Sequence, residues 1–432
     1  MQKFLSKFTQ GGGGYALSLV LAFLLASPGT ASAYLDPSAG NALIYVAVTL
    51  VSVSAFAVRS LYYRLTGKTH KDSHSANEIV IFSEGRNYWN TFEPIVNALL
   101  AKNQAFSYFT MDIEDPALKI RNKLMTAKYI GEGSAAYARI NQVSCKIMLT
   151  TTPNIGTPGY PISRPHKVKY LAYVFHDPVG APYYKKFGLD SYDLICVPGN
   201  YAVPAIRFLE KLRNLPAKEI ISLGLPYWDK LYNDKPAKKI NSRKVILIAP
   251  SWGDKGFMSY YSLDFVKELA KDFDIIFRPH PQSRKAEPAL LDRAKKLIDS
   301  LPNAKWDESP NPAESLSCAD LLISDTSAIR LDYAVIYERP VIALEVKAEN
   351  LDSFEMSVLP DDMKSIADKL CVPIKASEIN NISAIVNESL KAENVKSISE
   401  FVRENIANLG TAGEHIADYL INKAKEATDN VI

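Results

Sequence analysis

Leu321-Leu322-Ile323-Ser324-Asp325-Thr326-Ser327-Ala328 runs on into Ile329-Arg330-Leu331-Asp332-Tyr333-Ala334-Val335-Ile336, and its hydrophobic period changes in the middle. The opening apolar residues are continuous, as a strand buried on both faces requires. After the polar stretch 324–327, apolar residues return at helical spacing, so the segment reads as strand, tight turn and helix. A strand that passes straight into a helix is the repeating unit of a parallel α/β sheet. Ser324, Asp325, Thr326 and Ser327 then stand at a helix start, where unpaired backbone N–H groups attract anions. Ordinary helix capping uses the same residue types and explains them equally well locally. The glycine and lysine spacing of a P-loop is missing.

The same alternation extends in both directions. Apolar strand-like runs at 245–249, 275–278 and 341–344 interleave with helical patterns at 263–271, 287–300 and 327–336. Upstream, runs at 79–82, 106–109, 146–150, 170–174, 194–197 and 220–223 flank helical patterns such as 88–101 and 201–212. Between the two series lies the polar stretch 233–243, which contains Pro236 and has no apolar period, as an interdomain linker would. The expected fold is α/β and GT-B-like: two Rossmann-like lobes, 78–236 and 237–432, around a central cleft. The tail 397–427 is read as amphipathic helices free to cross back. Ligands of such sheets bind beyond the carboxyl ends of the strands.

Candidate chemistry falls at those ends. Arg278-Pro279-His280-Pro281 follows an apolar strand, and its prolines hold the chain extended. Arg278 offers a planar fork for phosphate, and His280 can move a proton or stabilise a leaving phosphate. A turn whose histidine caps a neighbouring backbone group is the plainer alternative. Val174-Phe175-His176-Asp177-Pro178-Val179-Gly180 ends a strand of the first series, which makes His176 a candidate base that Asp177 could orient. Its alternative is a strand-terminating turn with a structural histidine. Ser251, in Ala249-Pro250-Ser251-Trp252, and Ser83-Glu84-Gly85-Arg86-Asn87 are weaker signals of loops at the cleft.

The amino-terminal region differs. Residues 1–33 carry Lys3, Lys7 and an apolar stretch ending in Ala31-Ser32-Ala33, the pattern of a signal peptide or first membrane segment. Within 34–77, the apolar run 42–58 is long enough to span a bilayer and is followed by Arg59, Arg64 and Lys68. Positive residues stay inside, so the expectation is a transmembrane helix in the inner, cytoplasmic membrane with the catalytic domain in the cytoplasm. A net charge of +3 with interleaved signs argues against a nucleic-acid partner. Cys145, Cys196, Cys318 and Cys371 are widely spaced and beside apolar runs, which suits reduced core thiols; no ligand pattern calls for a metal or a cofactor.

Taken together, the motifs resemble the CDP-glycerol glycerophosphotransferases, the poly(glycerol-phosphate) polymerases and primases of teichoic acid synthesis. The resemblance rests on Ala249–Trp252 (APSW), Arg278–Pro281 (RPHP), Ser324–Asp332 (SDTSAIRLD), Glu338-Arg339-Pro340-Val341 and Gly224–Asp229 (GLPYWD). It covers roughly 167–346 and, more loosely, 84–96. It implies a GT-B fold and a CDP-linked donor, with a polyol-phosphate or glycan acceptor, lipid-linked acceptors included. It further implies that His280 acts near the donor pyrophosphate, that Ser324, Thr326 and Ser327, with Arg278, Ser251 and Asp325, form the phosphate site, and that His176 deprotonates the acceptor. One turn departs from the family pattern, which is close to WHGTPLK where this chain reads FHDPVGA at 175–181. A nucleotide-sugar glycosyltransferase, an epimerase, or a membrane-tethered module that binds nucleotide or polymer without catalysis are the other functions such a fold can carry.

Overall fold

The computed structural model describes residues 77–238, 241–346 and 351–429. The expected signal peptide and transmembrane helix lie outside the described residues. Among the described residues, no helix is long and apolar enough to cross a membrane.

The described residues fall in one compact unit built on two parallel sheets. In the first, β1 (Ile79–Ser83), β2 (Phe106–Thr110), β3 (Met125–Tyr129), β4 (Ser144–Thr150), β5 (Lys167–Val174), β6 (Leu194–Val197) and β7 (Glu219–Ser222) lie in the order β3-β2-β1-β4-β5-β6-β7. In the second, β8 (Val245–Ile248), β9 (Asp274–Phe277), β10 (Ala304–Trp306), β11 (Leu321–Ser324), β12 (Val341–Leu344) and β13 (Cys371–Ile374) lie in the order β10-β9-β8-β11-β12-β13. Both orders reverse direction beside their first strand, the doubly wound arrangement whose ligands sit at the reversal point. Those points are β1/β4 and β8/β11. The register sets Phe82 beside Thr150 and Thr150 beside Tyr173. The carboxyl ends of β1, β4 and β5 therefore finish level, bringing Glu84, Thr151 and His176 to one edge.

The central strands are apolar because helices cover both their faces. Ile79, Ile81, Ile147, Leu149, Ala172 and Val174 are fully buried under helix α1 (Trp89–Ala101). The lobes are joined through helix α2 (Pro226–Asn233), which packs on helix α3 (Ile329–Tyr337) of the second lobe. The last helix, α4 (Ala412–Asp429), returns to the first lobe and lays Ile416, Ala417, Leu420 and Ala424 onto α1. Buried Asp229 of α2 accepts hydrogen bonds from Ala412 N (2.9 Å) and Gly413 N (2.7 Å), which satisfies two free donors at the start of α4. Gly413 is needed there, since a Cβ would stand 2.5 Å from Cβ of Pro94.

A second junction lies on the far side. Lys185 and Phe354 form an antiparallel bridge, and Arg213 of the first lobe pairs with Asp190 and with buried Glu355 of the second. A cavity of about 210 Å³ is lined from both lobes, by Val179–Pro182 of the first and Asp362–Ile366 of the second.

Candidate active site

In the first lobe, His176 sits just beyond β5, half-buried. Its ring is stacked on Tyr184 (centroids 6.3 Å apart) and touched edge-on by Tyr88 (5.1 Å). Nδ1 lies 2.8 Å from the Thr151 hydroxyl and Nε2 lies 3.3 Å from an Asp177 carboxylate oxygen. The other Asp177 oxygen accepts from Val179 N and Gly180 N (3.0 and 3.2 Å), which locks the turn that presents the ring. Burial pushes the His176 pKa below its ordinary value, with Asp177 and Thr151 opposing. The imidazole is therefore neutral at cellular pH, the state a general base requires. Glu84 stands two strands away, beyond the end of β1, its pKa raised by burial and accepting from the Tyr160 hydroxyl at 3.3 Å.

In the second lobe, Trp252 follows β8 and stacks on His280 after β9, with centroids 5.9 Å apart. His280 Nδ1 accepts from Gln282 N (3.2 Å), which fixes the neutral tautomer with its proton on Nε2. Burial lowers the His280 pKa against the pull of Asp325 and Glu287. Its Nε2–H remains a donor for a phosphate oxygen without protonation.

The other expected phosphate ligands separate into two groups. Thr326 is exposed and Ser327 half-buried at the approach to α3, as an anion site needs. Ser324 and Asp325 require a correction, because both are buried and committed to the protein. The Ser324 hydroxyl donates to Ala249 O at 2.6 Å. The Asp325 carboxylate accepts from Ser251 N (3.1 Å), Ser251 Oγ (2.8 Å) and Phe257 N (2.8 Å), so it pins the loop after β8. Ser251 is held by that same bond and shapes the loop. Arg278 also differs from expectation. Its guanidinium, 12% exposed, donates to Asp307 (2.6 Å) and to Ser309 O (2.6 Å). Those bonds brace β9 against the strand beside it and leave little of the fork for a ligand. Arg278 and His280 line one cavity of about 360 Å³, with the Arg278 fork already paired; His280, Trp252, Thr326 and Ser327 are the groups left open.

Sequence reading missed Thr151 and Tyr160, and named Asp332 only as the end of a motif without a role. Asp332, half-buried on α3, accepts from Trp228 Nε1 (2.8 Å) and Tyr227 OH (3.0 Å) of α2, tying the lobes beside the site. Burial raises its pKa to about 6; the two donors lower it, and the Asp177 carboxylate, within electrostatic reach, raises it. Asp177 and the first turn of α3 are therefore neighbours across the lobe boundary. A folded-state pKa above the unfolded value makes the folded form bind more protons, so this group's contribution to stability falls as pH rises from about 4 to 6. Asp332→Asn should remove the part of that fall lying between pH 5 and 7.5, about 1.4 kcal/mol, when urea unfolding of the two proteins is compared at those two pH values. Parallel pH dependence in both would show that Asp332 does not titrate in this window.

Two doubly wound lobes with a strand-end histidine in each define a GT-B-type architecture. Residues 184–355 match the model of the CDP-Glycerol:Poly(glycerophosphate) glycerophosphotransferase family. No curated protein matches the chain. Among solved structures, the wall teichoic acid polymerase TagF aligns with a TM-score of 0.53 at 16% identity, covering 87% of this chain and 98% of that one. A TagF variant soaked with CDPG aligns at 0.52 and 18% identity, over 88% and 98%. A protein described as UDP-N-acetylglucosamine 2-epimerase from Listeria monocytogenes aligns at 0.54 and 14% identity, over 83% and 98%. At these identities the likeness carries the fold.

Proposed function

We propose that this protein transfers glycerol phosphate from CDP-glycerol to an acceptor hydroxyl during synthesis of a cell-envelope polymer of the teichoic acid kind. The observation that carries this reading is the glycerophosphotransferase match over 184–355, which includes 249–252, 278–281 and 324–332. Those segments supply the open groups at the carboxyl edge of the second sheet: Trp252, His280, Thr326 and Ser327.

In this mechanism the donor diphosphate lies along that edge. Thr326, Ser327 and the start of α3 hold its oxygens, and His280 Nε2–H donates to the departing CMP phosphate. The acceptor hydroxyl reaches His176, whose Nδ1–H is held by Thr151, and hands its proton to Nε2 as the Asp177 carboxylate, 3.3 Å from that nitrogen, moves aside. Asp177 then balances the charge of the imidazolium. One acceptor O–P bond forms, the P–O bond to CMP breaks, and the proton ends on His176. Such a displacement needs positioned groups rather than a covalent intermediate.

The acceptor is a polyol-phosphate or glycan hydroxyl. The setting we propose is the inner face of the cytoplasmic membrane, on the strength of the apolar run 42–58 and the basic residues after it. The likeness to an epimerase keeps a nucleotide-sugar reaction as the second reading. A thermal-shift comparison of CDP-glycerol, UDP-N-acetylglucosamine and GDP-mannose separates them. A bound donor at a hundredfold over its Kd stabilises by about 2.7 kcal/mol, so a shift with CDP-glycerol alone is the expected result. A shift with the UDP-sugar alone would replace the proposal with the second reading, and no shift with any donor would favour a non-catalytic module.

A further inference from the structure

The connection from β4 to β5 is irregular. In doubly wound sheets this position normally holds a crossover helix, but residues 151–166 form a proline- and glycine-rich loop without one. The loop is fixed rather than loose: Asn154 N donates to Gly188 O (2.7 Å) and Arg164 pairs with Asp193 (2.7 Å). Its tip returns to the sheet edge, where the Tyr160 hydroxyl meets Glu84. The Thr152 hydroxyl stands beside the same carboxylate and opposes the rise of its pKa. Tyr88 links this corner to the proposed base, because its ring touches His176 and its hydroxyl feels both Glu84 and Asp177.

The surroundings of His176 are consequently aromatic and acidic. Among the described residues, the polar partners of Glu84, His176 and Asp177 are hydroxyls, backbone N–H groups and one another, with no Lys or Arg. Rings flanked by carboxylates suit hydroxyl donors on a neutral framework. A phosphodiester one carbon away would meet like charge in a partly desolvated corner.

We propose that Glu84, oriented by Tyr160, binds a second hydroxyl of the acceptor beside the one His176 deprotonates, and that the acceptor unit seated there is a neutral polyol or sugar rather than a phosphate-bearing end. The proposal rests on the transferase reading and adds to it a specificity-determining residue and a class of acceptor.

Calorimetry on the full chain without donor tests it, with two probes that share one diol. 1-O-hexylglycerol is neutral, and hexyl phosphoglycerol carries a phosphodiester. The wild-type protein should bind the neutral probe roughly tenfold or more tightly than the charged one. Glu84→Gln, which keeps the size and removes the charge, should weaken the neutral probe and bring the ratio towards one, with the melting temperature unchanged. Tyr160→Phe should weaken the neutral probe while preserving the ratio. Equal or tighter binding of the phosphodiester by the wild type, binding of neither probe, or a ratio unmoved by Glu84→Gln would each overturn the proposal. Release of CMP from CDP-glycerol is measured separately. Its absence beside an intact probe preference would sink only the donor reading.

Discussion

His176→Ala should lower kcat by roughly 10²–10⁴, the usual cost of losing a positioned base, with the affinity for CDP-glycerol nearly unchanged. The asymmetry follows from geometry: His176 is held by Thr151 and Asp177 of its own lobe, away from the open groups around His280. The wild-type rate should rise with pH through a limb lying on the acid side of 6.5, because burial lowers the His176 pKa and the base works only when neutral. That limb should vanish in the variant. Single-turnover rates across pH 5–8, with donor binding measured in parallel, decide the point. Near-normal turnover in His176→Ala would reduce the residue to a histidine beside a turn.

Asp325→Ala should be among the most destabilising single substitutions in the second lobe, and it should also abolish donor binding. The carboxylate is 1% exposed and receives two backbone N–H groups and a hydroxyl from the loop after β8. Removing it strands the two backbone donors, at about 1–3 kcal/mol for each buried group left unpaired, so a total of roughly 2–6 kcal/mol is expected. Trp252 lies on that loop and supports the His280 ring, so the donor edge should lose its shape as well. Asp325→Asn keeps one acceptor oxygen and should fall between the two. Urea denaturation and CDP-glycerol titration of the three proteins check this. A stable Asp325→Ala protein that binds donor normally would show that the loop holds itself.

The fold was legible where strands are buried on both faces. Val245–Ile248, Leu321–Ser324 and Val341–Leu344 are continuous apolar runs that end in turn residues, and each is a central strand. The strands that escaped notice, Met125–Tyr129, Ala304–Trp306 and Cys371–Ile374, are all sheet edges. An edge strand faces solvent and carries polar residues or proline, here Lys128, Lys305 and Pro373, so no apolar run marks it.

The candidate site was legible as positions but not as roles. Strand ends are readable from sequence, and His176, His280 and Ser251 were found there. Whether a polar residue at such an end points outwards or back into the protein depends on partners distant in sequence. Ser324 and Asp325 turn inward to bind a loop some 70 residues earlier, at separations of 74 and 75. Arg278 is taken by Asp307 and Ser309 for the same reason. Tyr160 belongs to the site only through its bond to Glu84, 76 residues away, which no local pattern records.

The central claim is the transfer itself, and incubating the full chain with CDP-glycerol labelled in the glycerol and a membrane fraction as acceptor tests it most directly. The account predicts one CMP released for each glycerol phosphate that becomes covalently attached to the acceptor, and loss of both signals in His176→Ala. Release of free glycerol phosphate without attachment, or turnover of a UDP-sugar with CDP-glycerol left intact, would contradict it.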